Sequence, residues 1–250
     1  MIFSRKIAIN IILIIYLLVI ACNQDSSNLT CNVNTDHSEA IVYKPCHEFI
    51  FRSKYWSEGE LISDEKISLF ITGNGWQYDS SQAEALLLYK ADYSESSVNK
   101  IKSFGINPEI NDRPWVSESA TGIIDNEKTM FLHPFRHNQY YFTEIAPFPQ
   151  VIYPLHVGKA WSAALNIGGG WGIWDGIRLE TAYRVVNKES LTINGNEYNN
   201  CWKISSSATS EVGISYLTMW FHEEFGFVKF NYVIYSGQIL QIELDRLIEH

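Results

Sequence analysis

Positive charge is scarce in this chain. Its 19 Lys and Arg face 28 Asp and Glu, a formal net charge of −9 at pH 7. A nucleic-acid partner needs a basic face, so that class is excluded. Cysteine is scarce too, with four in 250 residues. Internal repeats and low-complexity tracts are missing from the body of the chain. Helical signals are nearly missing: the one convincing stretch runs from about Ser97 to Ser103 and ends at Gly105. No Gly-x-Ser-x-Gly elbow, phosphate loop, dinucleotide fingerprint or metalloprotease pattern occurs, so no familiar reaction announces itself. What is present is apolar and aromatic: 46% of residues are hydrophobic and 14% are Phe, Trp or Tyr. That supports a packed core, and the rigid aromatic side chains favour pleated sheet.

The N-terminus carries an address. Arg5 and Lys6 precede an apolar run from Ile7 to Ala21, broken by Asn10, and the chain then turns abruptly polar. The run is shorter than the roughly 20 apolar residues that span a bilayer, and its layout is that of a secretory signal. Val19, Ala21 and Cys22 resemble the lipobox of bacterial lipoproteins: an aliphatic residue at −3, a small one at −1, then Cys. The resemblance implies a mature chain that begins at an acylated Cys22 and a bacterial envelope location. With Asn23 rather than Asp after the Cys, it favours the outer membrane. The alternative is an ordinary signal peptide in which Cys22 is incidental. On this reading residues 1–21 are the signal peptide and 22–40 a polar tether. An N-terminal β-rich region would occupy 41–150 and a C-terminal β-meander 151–250, with the last two open to being one domain.

With Cys22 acylated, three thiols remain. In an oxidising compartment Cys31 and Cys46 are the natural disulfide, leaving Cys201 unpaired in an apolar strand. A zinc site from Cys31, His37, Cys46 and His47 is the alternative, but its spacing matches no usual structural zinc pattern. No metal and no cofactor is expected.

The second half reads as six antiparallel strands. Ile177, Leu179, Tyr183 and Val185 alternate with Arg178, Glu180 and Arg184, the period of two of a half-buried strand. Asn194-Gly195 is a strong hairpin turn, because both positions need positive φ. Strands follow over 198–210, 214–221, 227–235 and 238–247, and one precedes over 159–167. Tyr198, Trp202, Ile204 and Ala208 are expected on one face. In the first half, strands are expected over 48–52, 67–72, 84–89, 121–125, 128–132 and 140–144. Ala146-Pro147-Phe148-Pro149 and Pro154 are expected to form a stiff, extended connector, since proline is unwelcome in central strands. The predicted fold is all-β and mainly antiparallel, a curved sheet or half-barrel with few short helices.

Tyr153-Pro154-Leu155-His156-Val157-Gly158-Lys159-Ala160-Trp161 resembles the strand entry of many bacterial envelope lipoproteins. Phe225-Gly226-Phe227-Val228-Lys229 resembles the hairpin such chains carry near their ends. The resemblance spans 153–247 and implies a sheet like the half-barrel of lipoprotein carriers. It brings no catalytic residues.

Three constellations are candidates for chemistry. His133, Arg136 and His137 form the densest cationic cluster, an anion or metal site in one reading and a turn whose Arg136 pairs with an acid in the other. Trp171, Trp174 and Asp175 lie in a glycine-rich loop, and the two indoles are expected to edge a ligand cleft. The alternative folds them over the core. His222 and Glu224 offer an acid–base pair or a polar hairpin tip. The leading expectation is a lipid-anchored, non-enzymatic binding or scaffold module, with a lipid, glycan or envelope protein as partner. The alternative is an envelope hydrolase using His133, Arg136, His222 and Glu224.

Overall fold

The computed structural model describes residues 29–33, 40–90 and 92–250, so Cys22 and the signal segment lie outside the described residues. From Cys31 to the C-terminus the chain is one compact unit. Twelve strands form a single antiparallel sheet. They are β1 His47–Ser57, β2 Glu60–Trp76, β3 Asp79–Leu88, β4 Glu118–Asp125, β5 Thr129–Leu132, β6 Gln150–Ile152, β7 Ala160–Asn166, β8 Arg178–Ile193, β9 Asn196–Ser210, β10 Gly213–His222, β11 Gly226–Val233 and β12 Ile239–Glu249. Their order is β6-β5-β4-β3-β2-β1-β12-β11-β10-β9-β8-β7. Two six-stranded meanders are therefore joined through the first and last strands, with His47 opposite Glu249 and Trp56 opposite Ile239. The expected C-terminal meander is present as β7 to β12.

The sheet curls into a nearly closed barrel. Its two edges, β6 and β7, meet through side chains rather than a backbone ladder. Trp161 donates its indole N–H to Gln150 Oε1 at 3.1 Å, Tyr183 donates to the Phe148 carbonyl at 2.8 Å, and Lys159 reaches the Ile152 carbonyl at 2.6 Å. Phe49, Leu69, Leu87, Leu179, Val185, Met219, Phe230 and Ile242 point inward and are buried. Arg178, Glu180 and Arg184 stay outside, as their alternation predicts. Asn194 and Gly195 hold φ of 50° and 84°, the positive pair their hairpin requires.

Because sequential strands are antiparallel, connections alternate between the barrel ends. One end receives the three long connections, 89–117, 133–149 and 167–177, and is called here the cap end. The other, the stem end, holds only short connections, such as 193–196 and 222–226, and the Cys31–Cys46 disulfide, whose Cα atoms are 5.4 Å apart. With the two sulfurs bonded to each other, neither is a thiolate for zinc. Cys201 is buried and free, as expected. Segment 40–46 is fastened at the stem end. Asp125 accepts the Val42 and Tyr43 N–H groups, each at 2.7 Å, and Tyr43 accepts the Phe227 N–H at 3.2 Å. Gly226, at φ 70°, lets that phenol in: a Cβ there would sit 2.8 Å from its oxygen.

Three expectations are corrected. The stretch 140–144 is not a strand but part of a 3₁₀ helix, Asn138–Ile145. Every side chain from Gln139 to Ile145 is buried, so no strand alternation exists there, and the segment fills the cap end of the barrel. The proline-flanked connector contains the short edge strand β6, which pairs with β5 alone. In β9 the inward position falls on Cys201, fully buried, while Trp202 stays partly exposed. Asn200, at φ 63°, and shifts of the β8–β9 register break the period of two that placed Trp202 inside.

Candidate functional site

The cap end holds an apolar cavity of about 250 Å³. Its roof is the 89–117 connection, which contains α1, Glu95–Ser103, and the single turn α2, Pro108–Asn111. α1 forms where the sequence signals it. Ser94 caps the N-terminus by accepting the Ser97 N–H at 3.2 Å, Glu95 sits in the first turn, and Lys100 and Lys102 sit in the last, matching the helix dipole. Its one buried residue, Ile101, faces the cavity, and Ile110 of α2 does the same. Pro114, Trp115 and Val116 close one side. Tyr55 of β1 and Tyr141 and Phe142 of the 3₁₀ helix form the floor.

The roof is pinned by few polar contacts. Tyr141 accepts the Ile106 N–H at 2.7 Å, Asn107 donates to the Trp171 carbonyl at 2.7 Å, and the Asn138 amide pairs with both backbone groups of Val116. Tyr93 donates to Glu65 at 2.5 Å, and Gln139 and Tyr140 donate to the same carboxylate. Burial raises the Glu65 pKa, and these donors oppose that rise.

Among the described residues, the charged groups in the cavity wall are Lys102, Arg113 and Arg136, and no Asp or Glu lines it. Lys102 Nζ donates to the Arg113 carbonyl at 2.9 Å. The Arg113 guanidinium lies over the Trp171 ring, 5.3 Å from its centroid. His137, also in the wall, has its pKa lowered by burial and then by Arg136 and Arg113. Asn111 Oδ1, His137 Nδ1 and Gln139 Oε1 are buried without a hydrogen-bond partner among the described residues.

The structure separates the residues that sequence reasoning grouped. Arg136 lines the cap cavity, whereas His133 lines a second cavity of about 390 Å³ along the β6–β7 seam. The two are in contact: Arg136 donates to His133 Nδ1 at 2.9 Å, which puts the neutral ring's proton on Nε2. Arg136 also faces Glu144 at 3.7 Å, the acid partner anticipated for it. Burial and then Arg136 push His133 down to about 3, and burial raises Glu144. His222 and Glu224 belong to the β10–β11 hairpin at the stem end, so the four hydrolase suspects do not converge. His222 Nδ1 accepts the Glu224 and Phe225 N–H groups at 3.1 and 3.3 Å, a polar hairpin tip.

The glycine-rich loop also differs from expectation. Trp174 does not edge a cleft. It is fully buried and stacked on Tyr141, with ring centroids 5.6 Å apart. Trp171 is half-buried beneath Arg113. Asp175 accepts the Gly170 N–H at 3.2 Å and the Trp171 N–H, so it shapes the loop. Arg113, Trp115, Tyr141 and Phe142 escaped sequence reasoning because they come from separate segments that share no motif. The one local signal was Arg113-Pro114-Trp115, a cation beside an aromatic in an otherwise polar stretch.

No protein-family model matches the chain, and no curated protein matches it. Three solved structures are similar. A provisionally assigned lipoprotein of Parabacteroides distasonis is 13% identical over 87% of this chain and 99% of its own, with a TM-score of 0.44. A provisionally assigned exported protein of Bacteroides fragilis with a YmcC-like fold is 10% identical over 81% and 95%, with a TM-score of 0.45. The hypothetical lipoprotein YmcC of Escherichia coli is 9% identical over 80% and 86%, with a TM-score of 0.34.

Proposed function

We propose that this chain is a lipid-anchored protein of the bacterial envelope that binds a small ligand in the cap cavity without transforming it. The cavity itself carries this reading. Its walls are apolar and aromatic, a few polar groups converge on it, and its roof is pinned by a handful of hydrogen bonds, the general form of a ligand pocket. The hydrolase suspects lie at two ends of the barrel, which favours binding over catalysis. Cys31 enters at the stem end, opposite the cavity. Anchoring through Cys22 would therefore tether the end away from the ligand. Acylation is supported by the Val19-Ile20-Ala21-Cys22 run, and two or three acyl chains hold a protein stably on a bilayer.

Two measurements test the proposal. A palmitate analogue should tag the wild type and not Cys22→Ser; equal tagging refutes the anchor. Native mass spectrometry of protein extracted from its own membrane fraction should show a small-molecule adduct. Val116→Trp, which fills the cavity, should lack it. An adduct that persists in that variant refutes the site.

A further inference from the structure

We propose that the cap cavity selects an amphiphile with one anionic head, specifically a free medium-chain carboxylate whose head pairs with Arg113. This rests on the reading of the cavity as a ligand site. The chain has 28 acids against 19 Lys and Arg, yet among the described residues the charged side chains lining this cavity are all cations. They are not equally available. Arg136 is countered by Glu144 at 3.7 Å and spends one donor on His133. Lys102 Nζ turns onto the Arg113 carbonyl at 2.9 Å, which brings a second positive charge to the base of Arg113. Arg113 itself makes no ion pair among the described residues.

Arg113 is also pre-oriented. Its guanidinium lies over the Trp171 ring at 5.3 Å, and a stacked guanidinium keeps its fork of N–H donors free for a carboxylate. Neighbouring His137 is kept neutral at pH 7 by burial and by the two guanidiniums, so the positive field comes from permanent cations. A neutral head would leave that field unanswered, and a cationic head would oppose it. The ligand's body would meet Ile101, Ile110, Trp115 and Phe142. A volume of about 250 Å³, at roughly 30 Å³ for each water-sized group, holds roughly eight such groups. An eight-carbon chain matches that size.

The test is a calorimetric titration of the purified protein at low salt with octanoate, 1-octanol and octylammonium. Octanoate is expected to bind at least about tenfold more tightly than octanol, a gap of about 1.4 kcal/mol, with octylammonium weakest. Arg113→Gln should bring octanoate down to the affinity of octanol and leave octanol within about twofold. Octanol binding thus also reports that the variant's cavity is intact. Should Arg113→Gln fail to fold, Arg113→Lys should keep the preference for octanoate over octylammonium while reducing octanoate binding. If octanol binds as tightly as octanoate, the anionic class is wrong; if the preference survives Arg113→Gln, the pairing with Arg113 is wrong; in both cases the cavity remains a ligand site. If none of the three binds, the ligand-site reading itself is overturned.

Discussion

Truncating Trp174 to Ala discriminates between an indole that completes the core and one that edges a cleft. The side chain is fully buried, and its ring stacks on Tyr141. Removing a buried Trp costs about 3–5 kcal/mol, and loss of the ring pair accounts for about 0.5–1.5 kcal/mol more. One feature works the other way. The indole Nε1 is buried without a hydrogen-bond partner among the described residues, a standing cost of about 1–3 kcal/mol that truncation removes. The net loss is therefore about 3 kcal/mol. At about 2–4 °C per kcal/mol for a chain of this size, the melting temperature should fall by about 9 °C. Trp174→Phe keeps an aromatic ring against Tyr141 and deletes the orphan N–H, so it should stay within about 1 kcal/mol of wild type. Trp171→Ala loses a half-exposed ring and one contact with Arg113, worth about 1 kcal/mol. Urea melts followed by circular dichroism measure all three. If Trp174→Ala melts like wild type, or Trp174→Phe falls as far as Trp174→Ala, the burial argument is wrong.

Two further outcomes follow from features of the same barrel. The Cys31–Cys46 bridge closes a 15-residue loop, so replacing both residues with Ser should cost about 3 kcal/mol in the chain-entropy account. Non-reducing peptide mapping should find that pair linked and Cys201 free; a Cys46–Cys201 peptide would contradict it. Glu144 has its pKa raised by burial, so the folded state holds that proton more tightly than the unfolded chain does. Its contribution is then favourable below the ordinary carboxylate range and declines as pH rises through the raised value. Glu144→Gln should flatten the fall in stability as pH rises above the ordinary carboxylate range, and an unchanged pH slope would refute the assignment.

The strands were legible because most obey a period of two with one wet face. β8 is the clearest case: Arg178, Glu180 and Arg184 mark the outside and Leu179, Tyr183 and Val185 the core. Asn194-Gly195 fixed a hairpin because its chemistry permits few alternatives. Longer-range features were not legible. Nothing local in His47–Ser57 or Ile239–Glu249 announces that they pair, since both carry generic strand patterns. The 3₁₀ helix Asn138–Ile145 reads as strand because Tyr140, Tyr141 and Phe142 have sheet propensity, and a fully buried setting overrides it. The Trp202 error came from two irregularities in the β8–β9 register, between which the facing is out of phase, so Cys201 turns inward while Tyr198 and Ile204 keep the expected face. The cap cavity is hardest of all, because Tyr55, Ile110, Arg113 and Phe142 meet only after the barrel has curled.

Joining the sheet through its first and last strands also constrains how the chain reaches this state. Each meander can zip from neighbouring hairpins, but β1 and β12 lie up to 202 residues apart, and β1 keeps one bare edge until Ile239–Glu249 has been made. Such distant pairing has a high loop-closure entropy and slows folding. Closure therefore waits for a complete chain, and a nascent chain exposes an unpaired, apolar strand throughout its synthesis. The native opening lies instead at β6–β7, in mid-sequence. A circular permutant cut within residues 153–159, with the old ends linked, would list its strands in the order in which they pair. Every ladder would then be a contact between sequence neighbours, and the side-chain contacts across the β6–β7 seam would become the one distant step.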